Sequence, residues 1–308
     1  MVDEAMAYLT DAVFEPELKR GSGLDPSWYE DGVELVVVDD GSRDDTARIA
    51  IDLASRWEKK LQARRAATDE KRNWPEVDMR VIKLERNRGK GGAVRHGVLF
   101  ARGRRILFAD ADGASRFSDL TSLQLAMDAL LDASASSVKG PNGHARRRSM
   151  DGVFGKQSLK GDLVGHAMVA GSRAHLEKSQ AVVQRSFVRN LLMHGFHVFV
   201  RTMGVSGIRD TQCGFKLFTR ETARVLFPTM HLHRWSFDVE LLLLASLVGI
   251  PVAEVPIDWH EVAGSKISVG WDGIGMARDL LVLRGNLLAG RWKVPRVVKA
   301  SPLSKDQE

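Results

Sequence analysis

Residues Val33–Ser42 read VELVVVDDGS, a β-branched run closed by two acids, a glycine and a serine. A run of this kind fits a strand buried on both faces, as occurs in parallel sheets covered by helices. The segments around it repeat the theme. Ser42 and Asp45 form a capping-box-like start, and Ile49, Leu53 and Trp57, four apart, predict an amphipathic helix to about Leu61. After a polar, basic stretch (62–74), Met79–Glu85 predicts a second strand, Asn87–Ala101 a glycine-rich turn opening a helix, and RRILFAD a third strand. Alternating strands and helices with short connections imply right-handed crossovers and a mostly parallel α/β sheet. Ligands of such sheets bind at the carboxyl ends of the strands. Asp39, Asp40, Asp110 and Asp112 all fall at such ends.

Further along, residues 134–165 are rich in glycine, serine and basic residues without a period, and predict a flexible basic insertion. His166–Arg173 resumes strand character, a helix is expected over about Gln180–Met203, Phe237–Gly249 reads as a buried helix and Pro251–Trp259 as a strand. These segments divide the chain into a catalytic unit over residues 1–260 and a C-terminal part, 261–308, with an amphipathic segment from Trp271 to about Trp292 and a basic tail. That segment sets apolar residues among cations and two tryptophans, a pattern suited either to a membrane interface or to packing on the catalytic unit.

Bulk properties exclude several classes. The 308 residues carry 45 basic and 39 acidic side chains, a net charge of +6 that suits an anionic partner. No run reaches the roughly 18 apolar residues of a membrane span. The single cysteine, Cys213, excludes an internal disulfide, and the nine histidines show no metal-ligand spacing. The opening MVDEAMAYLTDAVF carries acids where a secretory signal needs bases. A nucleic-acid-binding role has no recognition module to support it.

The pair Asp110-Ala111-Asp112 carries the sharpest chemistry. Two acids one residue apart repel, so either a cation sits beside them or they lie in a solvated strand-end turn. Mg²⁺ or Mn²⁺ held by one or two carboxylates completes its shell with substrate phosphates. Asp39-Asp40-Gly41-Ser42 could hydrogen-bond a nucleoside or simply cap a helix. The loop NRGKGGAVRHG lacks both a P-loop and a G-x-G-x-x-G pattern; its glycines permit close approach to phosphate, with Arg88 and Lys90 supplying charge, or make a plain turn. Arg173, Arg185, Arg189 and Lys216 are further cations, each either a phosphate contact or a solvated surface charge.

Taken in order, VVVDDGSRDDT, NRGKGGAVRHG, FADADGAS, GSRAH, RDTQCGFKLF and RWSFDVELL resemble the family-2 glycosyltransferases of the GT-A (Rossmann-like) fold, from about Met1 to Trp292. The likeness is greatest to the branch that glucosylates a polyprenyl phosphate. It implies inverting transfer of glucose from UDP-glucose to dolichyl phosphate, for N-glycan precursor assembly, on the cytosolic face of the endoplasmic reticulum membrane, with Mg²⁺ or Mn²⁺. By that resemblance Asp39 and Asp40 contact the uridine, Lys90 lies in the nucleotide loop, and Asp110 and Asp112 surround the metal and diphosphate. Asp210 stands near the acceptor as a base or an orienting group, and Arg173, Ser186 and Arg189 hold sugar or acceptor phosphate. Family members begin with a membrane helix and a first strand ending in a PAYNE-like turn. Here MVDEAMAYLTD matches the helix after that turn, so the chain is expected to be truncated ahead of it. The alternatives are a related enzyme using GDP-mannose and an inactive nucleotide-sugar binder.

Overall fold

The computed structural model describes residues 1–15, 23–67, 75–138, 163–176, 207–260, 262, 271–295 and 297. The expected helix over 180–203 and residues 139–162 of the expected basic insertion therefore lie outside the described residues. The elements follow in the order α1 (Val2–Phe14), β1 (Val33–Asp39), α2 (Thr46–Ala67), β2 (Val77–Lys83), α3 (Lys90–Phe100), β3 (Arg105–Ala109), α4 (Leu120–Val138), β4 (Met168–Ser172), β5 (Phe215–Thr219), α5 (Arg220–Thr229), α6 (Phe237–Val248), β6 (Val252–Pro256) and α7 (Trp271–Leu288). The α4 helix continues to Val138, so the first residues of the expected insertion are helical.

Among the described residues the strands form two sheets. One is the parallel pair β1–β2, in register from Val33↔Val77 to Asp39↔Lys83. The other has the order β3-β5-β4-β6, with β5 antiparallel to both neighbours and β4 parallel to β6. Side chains alternate between two cores with the period of two that a pleated strand imposes. Phe215 and Leu217 of β5 and Val169 of β4 join Leu53, Trp57, Leu123, Met127 and α1 on one face. Ile106, Phe108, Met168 and Phe218 join α5, α6 and Leu280 and Leu283 of α7 on the other.

Three local readings change. Ser42 does not cap α2: its N–H donates to Asp39 Oδ1 (3.1 Å), while Asp44 Oδ1 accepts from the N–H and hydroxyl of Thr46 (3.0 and 2.6 Å). Ile49 lies 57% exposed on the outer face of α2, and Leu53, Trp57 and Leu61 make its buried stripe. β1 is half-buried instead of enclosed; among the described residues only β2 pairs with it, leaving its other edge open. That edge and the facing edge of β3 border a cavity of about 920 Å³ lined by Leu35, Val37, Leu107, Ala109 and the start of α1.

The α1 helix closes one end of this cavity. Trp57 Nε1 donates to Asp3 Oδ1 (2.8 Å), and Glu4 Oε1 accepts from the N–H of Phe117 (2.7 Å), so the helix is held on α2 and on the segment after β3. Unpaired strand edges expose backbone donors. Hydrogen exchange should therefore find β1 and β3 amides on the cavity side exchanging at least tenfold faster than those of β4 and β5; uniform protection would contradict open edges.

Candidate active site

The carboxyl ends of β1 and β3 deliver the sequence-predicted acids to one rim, where each has a distinct partner. Asp39 is buried; its Oδ1 accepts from Ser42, and Oδ2 is buried with no hydrogen-bond partner among the described residues. Asp40 Oδ1 accepts from the Arg88 N–H (2.7 Å), tying the turn after β1 to the loop before α3. Lys90, the first residue of α3, places Nζ 2.8 Å from Asp110 Oδ2 and 5.6 Å from the ring centre of Trp235. Asp112 Oδ1 accepts from the Ala114 N–H (2.9 Å), which folds the acidic pair into a tight turn at the tip of β3.

The glycines at the start of α3 pack closely against neighbouring segments. A Cβ at Gly91 would lie 2.7 Å from Phe237 Cβ and 2.8 Å from Leu232 O. Gly89 is blocked in the same way by His233 O at 2.5 Å, and Gly92 N–H donates to that carbonyl (3.1 Å). Residues 232–237 thus fill the space beside these glycines, which serve close packing of α3 against the start of α6 and set Lys90 over the rim.

A second group of residues meets the rim from β4 and the segment before β5. Arg173 follows β4 and holds Asp210 with its backbone N–H (2.9 Å), Nε (2.7 Å) and Nη2 (2.9 Å). Its guanidinium also faces the Trp259 ring at 5.4 Å. Glu254 of β6 accepts from the N–H groups of Arg209 and Asp210, fixing the same turn from below. Burial would raise the Asp210 pKa, but the hydrogen bonds and charge of Arg173 outweigh it and hold the carboxyl below its ordinary value. Burial likewise opposes charge on Arg173, and the bonds to Asp210 overcome it, keeping the pKa above the usual value. Burial pushes the Cys213 thiol up to about 11, so it is not a thiolate nucleophile near neutral pH.

Lys216 departs most from expectation. It is neither a phosphate contact nor a surface charge: it is 0% exposed in the middle of β5, and its Nζ donates to Asp238 Oδ1 and to Cys213 O, both at 2.6 Å. Asp238 and Glu240, on the apolar helix α6, escaped the sequence reading. Burial pushes the carboxyls of both above the ordinary range, and Glu240 accepts from the N–H groups of His231 and Leu232. Acids inside an otherwise apolar helical run were the available signal. Ser186, Arg189 and Arg185 lie outside the described residues, so Arg173 represents the expected phosphate-binding group here. Of the tryptophans, Trp235 and Trp259 meet cations at the rim, and Trp292 stacks on His231 with ring centres 4.0 Å apart.

The Arg173–Asp210 pair generates a stability prediction. A carboxylate whose pKa is depressed in the fold contributes stability that is present above its unfolded pKa and lost as pH falls through the folded value. Asp210→Ala should destabilise the protein by about 2 kcal/mol near pH 7, the buried-pair cost reduced because Arg173 is partly exposed. That difference should shrink below about pH 4. Urea unfolding at pH 7 and pH 3.5 measures both; an equal cost at the two values would contradict an ionised Asp210.

Comparison with known proteins identifies the family. Residues 24–192 match the family described as Glycosyl transferase family 2. The chain is 42% identical over 261 residues to dolichyl-phosphate beta-glucosyltransferase of Dictyostelium discoideum, covering 85% of this chain and 65% of the relative. It is 40% identical over 299 residues to the Homo sapiens protein of the same name (97% and 74%), and 40% identical over 285 residues to that of Saccharomyces cerevisiae (92% and 71%). The chain spans about two thirds to three quarters of the length of these curated relatives. An α/β framework with acids at its strand ends, matched along most of its length to such transferases, makes this chain a member of glycosyl transferase family 2.

Proposed function

We propose that this protein catalyses inverting transfer of glucose from UDP-glucose to dolichyl phosphate, giving dolichyl β-D-glucosyl phosphate. The observation that carries the reading is the meeting of Asp39, Asp110, Asp112, Lys90 and the Arg173–Asp210 pair at one rim, in a chain similar to proteins named for this reaction. Placement on the cytosolic face of the endoplasmic reticulum is part of the proposal, and it follows only from the family resemblance of the sequence motifs.

Asp110 and Asp112 offer oxygen donors only, which fits Mg²⁺ or Mn²⁺. Among the described residues no group of three or more His, Cys, Asp or Glu side chains is placed to hold a metal, so phosphate oxygens of the donor would complete the shell. The ion would supply Lewis-acid stabilisation of the departing diphosphate. Lys90 adds a fixed positive charge beside Asp110 for the same developing charge. Oδ2 of Asp39, buried and without a hydrogen-bond partner among the described residues, is an acceptor that a nucleoside N–H or hydroxyl would satisfy.

The acceptor phosphate is the nucleophile. Its second pKa is about 6, so it is ionised near neutral pH and needs no strong base. Asp210, held ionised by Arg173, is a poor proton acceptor; it orients Arg173, whose Nη1 has no hydrogen bond among the described residues and can meet the phosphate. One in-line displacement inverts the anomeric centre, so an α-linked donor yields a β-linked product.

The acceptor is a lipid, and one face of α7 suits a bilayer surface. No described helix is long and apolar enough to cross a membrane. Leu280 and Leu283 of α7 are buried in the core, while Ile274 and Leu288 are 66% and 74% exposed, with Leu281 and Val282 between them and Arg278, Arg284 and Arg291 nearby. The helix therefore packs on the catalytic unit and still presents an apolar stripe among cations, as interfacial helices do.

Purified protein given dolichyl phosphate and Mn²⁺ should transfer glucose from UDP-glucose in preference to mannose from GDP-mannose, and Asp112→Ala should lower transfer on the order of 10²-fold or more. Preference for GDP-mannose would reject the donor, and near-normal Asp112→Ala activity would reject the role of the acidic pair. The rate should rise through about pH 6 and level off, with the same midpoint in Asp210→Asn, since the acceptor phosphate titrates there; a midpoint that moves with Asp210 would make it the base. Replacing Ile274, Leu281 and Leu288 together by serine should weaken flotation with anionic vesicles on the order of tenfold, and unchanged flotation would remove α7 from the membrane contact.

A further inference from the structure

Gly214 sits where glycine has no conformational reason to be. Its φ is not positive, so the backbone there suits any residue. The reason is steric. A Cβ at this position would fall on the carboxylate of Asp110, overlapping Cγ and Oδ2, and even the farther oxygen, Oδ1, would lie only 2.6 Å away.

The surroundings leave the carboxylate as the only part that can yield. Cys213, Phe215 and Lys216 flank Gly214 and are 0–1% exposed, with Lys216 anchored to Asp238, so this stretch of backbone has no room to retreat. Asp110 N–H donates to Gly214 O (2.9 Å) directly beyond the last register pair, Ala109↔Phe215, which draws the tip of β3 onto this peptide. On its other side the carboxylate meets Lys90 at 2.8 Å. Asp110 is thus clasped between a bare peptide and an ammonium group, and a methyl group at residue 214 would force it to a different χ1 rotamer, away from Lys90.

We propose that Gly214 is a positioning residue: the absence of a side chain there makes the seat that aims the Asp110 carboxylate at Lys90 and the donor diphosphate. This rests on the assignment of Asp110 to the nucleotide-sugar site made above. The seat itself is a packing feature and can be tested without that assignment.

The test is a double-mutant cycle on the full chain, comparing wild type, Gly214→Ala, Asp110→Ala and the double variant. If residue 214 acts through the carboxylate, removing the carboxylate removes the conflict. Melting temperature reads this without ligand: Gly214→Ala should lower it in the wild-type background and leave it unchanged in the Asp110→Ala background. Titration with UDP and Mn²⁺, together with kcat/KM for glucose transfer, reads the site. Gly214→Ala should lose on the order of 10²-fold in both, as a misplaced active-site group does, and less than about twofold once Asp110 is already alanine. If Gly214→Ala fails to fold while the double variant folds, the seat is confirmed by rescue. Equal losses in the two backgrounds, or Gly214→Ala behaving as wild type, would overturn the proposal. Should Asp110→Ala leave UDP binding and transfer untouched while the melting cycle still couples, the seat stands and the assignment of Asp110 to the donor site fails instead.

Discussion

A lysine with no exposed surface cannot be left unpaired, since burying an isolated ammonium costs far more than a small domain's whole stability. Lys216 escapes that cost through Asp238 and the carbonyl of Cys213, both at 2.6 Å. The pair ties β5 to α6 in the middle of the second core, and its consequences reach the rim. It holds the peptide of residues 213–216 in place, and that peptide is the surface on which Asp110 rests. It also fixes the end of the turn that carries Asp210. Replacing such a pair by apolar residues often leaves stability unchanged, whereas removing one partner leaves an uncompensated buried charge.

Above that pair, the rim is a set of acids each held by a different device. A backbone amide holds Asp112, two turns are joined through Asp40, an ammonium faces Asp110, and a guanidinium fork grips Asp210. Strand direction brings Asp39, Asp110 and Asp112 to the carboxyl ends of β1 and β3. The antiparallel course of β5 then lets the segment before it, carrying Asp210 and Gly214, arrive at the same rim from the opposite direction. The chain after β3 also bridges to the chain after β6, at Ser115↔Trp259, which sets the Trp259 ring beside Arg173. Negative charge fixed in this way, with two cations interleaved, suits a ligand that is itself an anion accompanied by a divalent cation.

Much of this was legible in the sequence because it depends on local pattern. The runs VELVVVD and RILFA are strands, and the acids that close them lie where such strands end. Long-range features were not legible. Nothing in FKLFT distinguishes an antiparallel strand from a parallel one, and a lysine in a strand ordinarily reads as an outward charge, whereas the partner that lets Lys216 be buried, Asp238, comes from α6. Gly91 and Gly214 are required by residues 146 and 104 positions away in the chain (Phe237 and Asp110 respectively), contacts that no local window contains. The capping of α2 failed for a smaller reason: Asp44, two residues beyond Ser42, competes for the same turn and lies next to the first helical N–H.

In the proposed function, Asp110 and Asp112 would hold a divalent cation together with the diphosphate of a sugar nucleotide at this rim. Crystals of the protein grown with Mn²⁺ and UDP, measured for the anomalous signal of manganese, test it most directly. The account predicts a single strong peak within coordination distance, about 2.2 Å, of at least one of these two carboxylates and of a phosphate oxygen. A manganese peak elsewhere, with UDP bound away from the ends of β1 and β3, would contradict it.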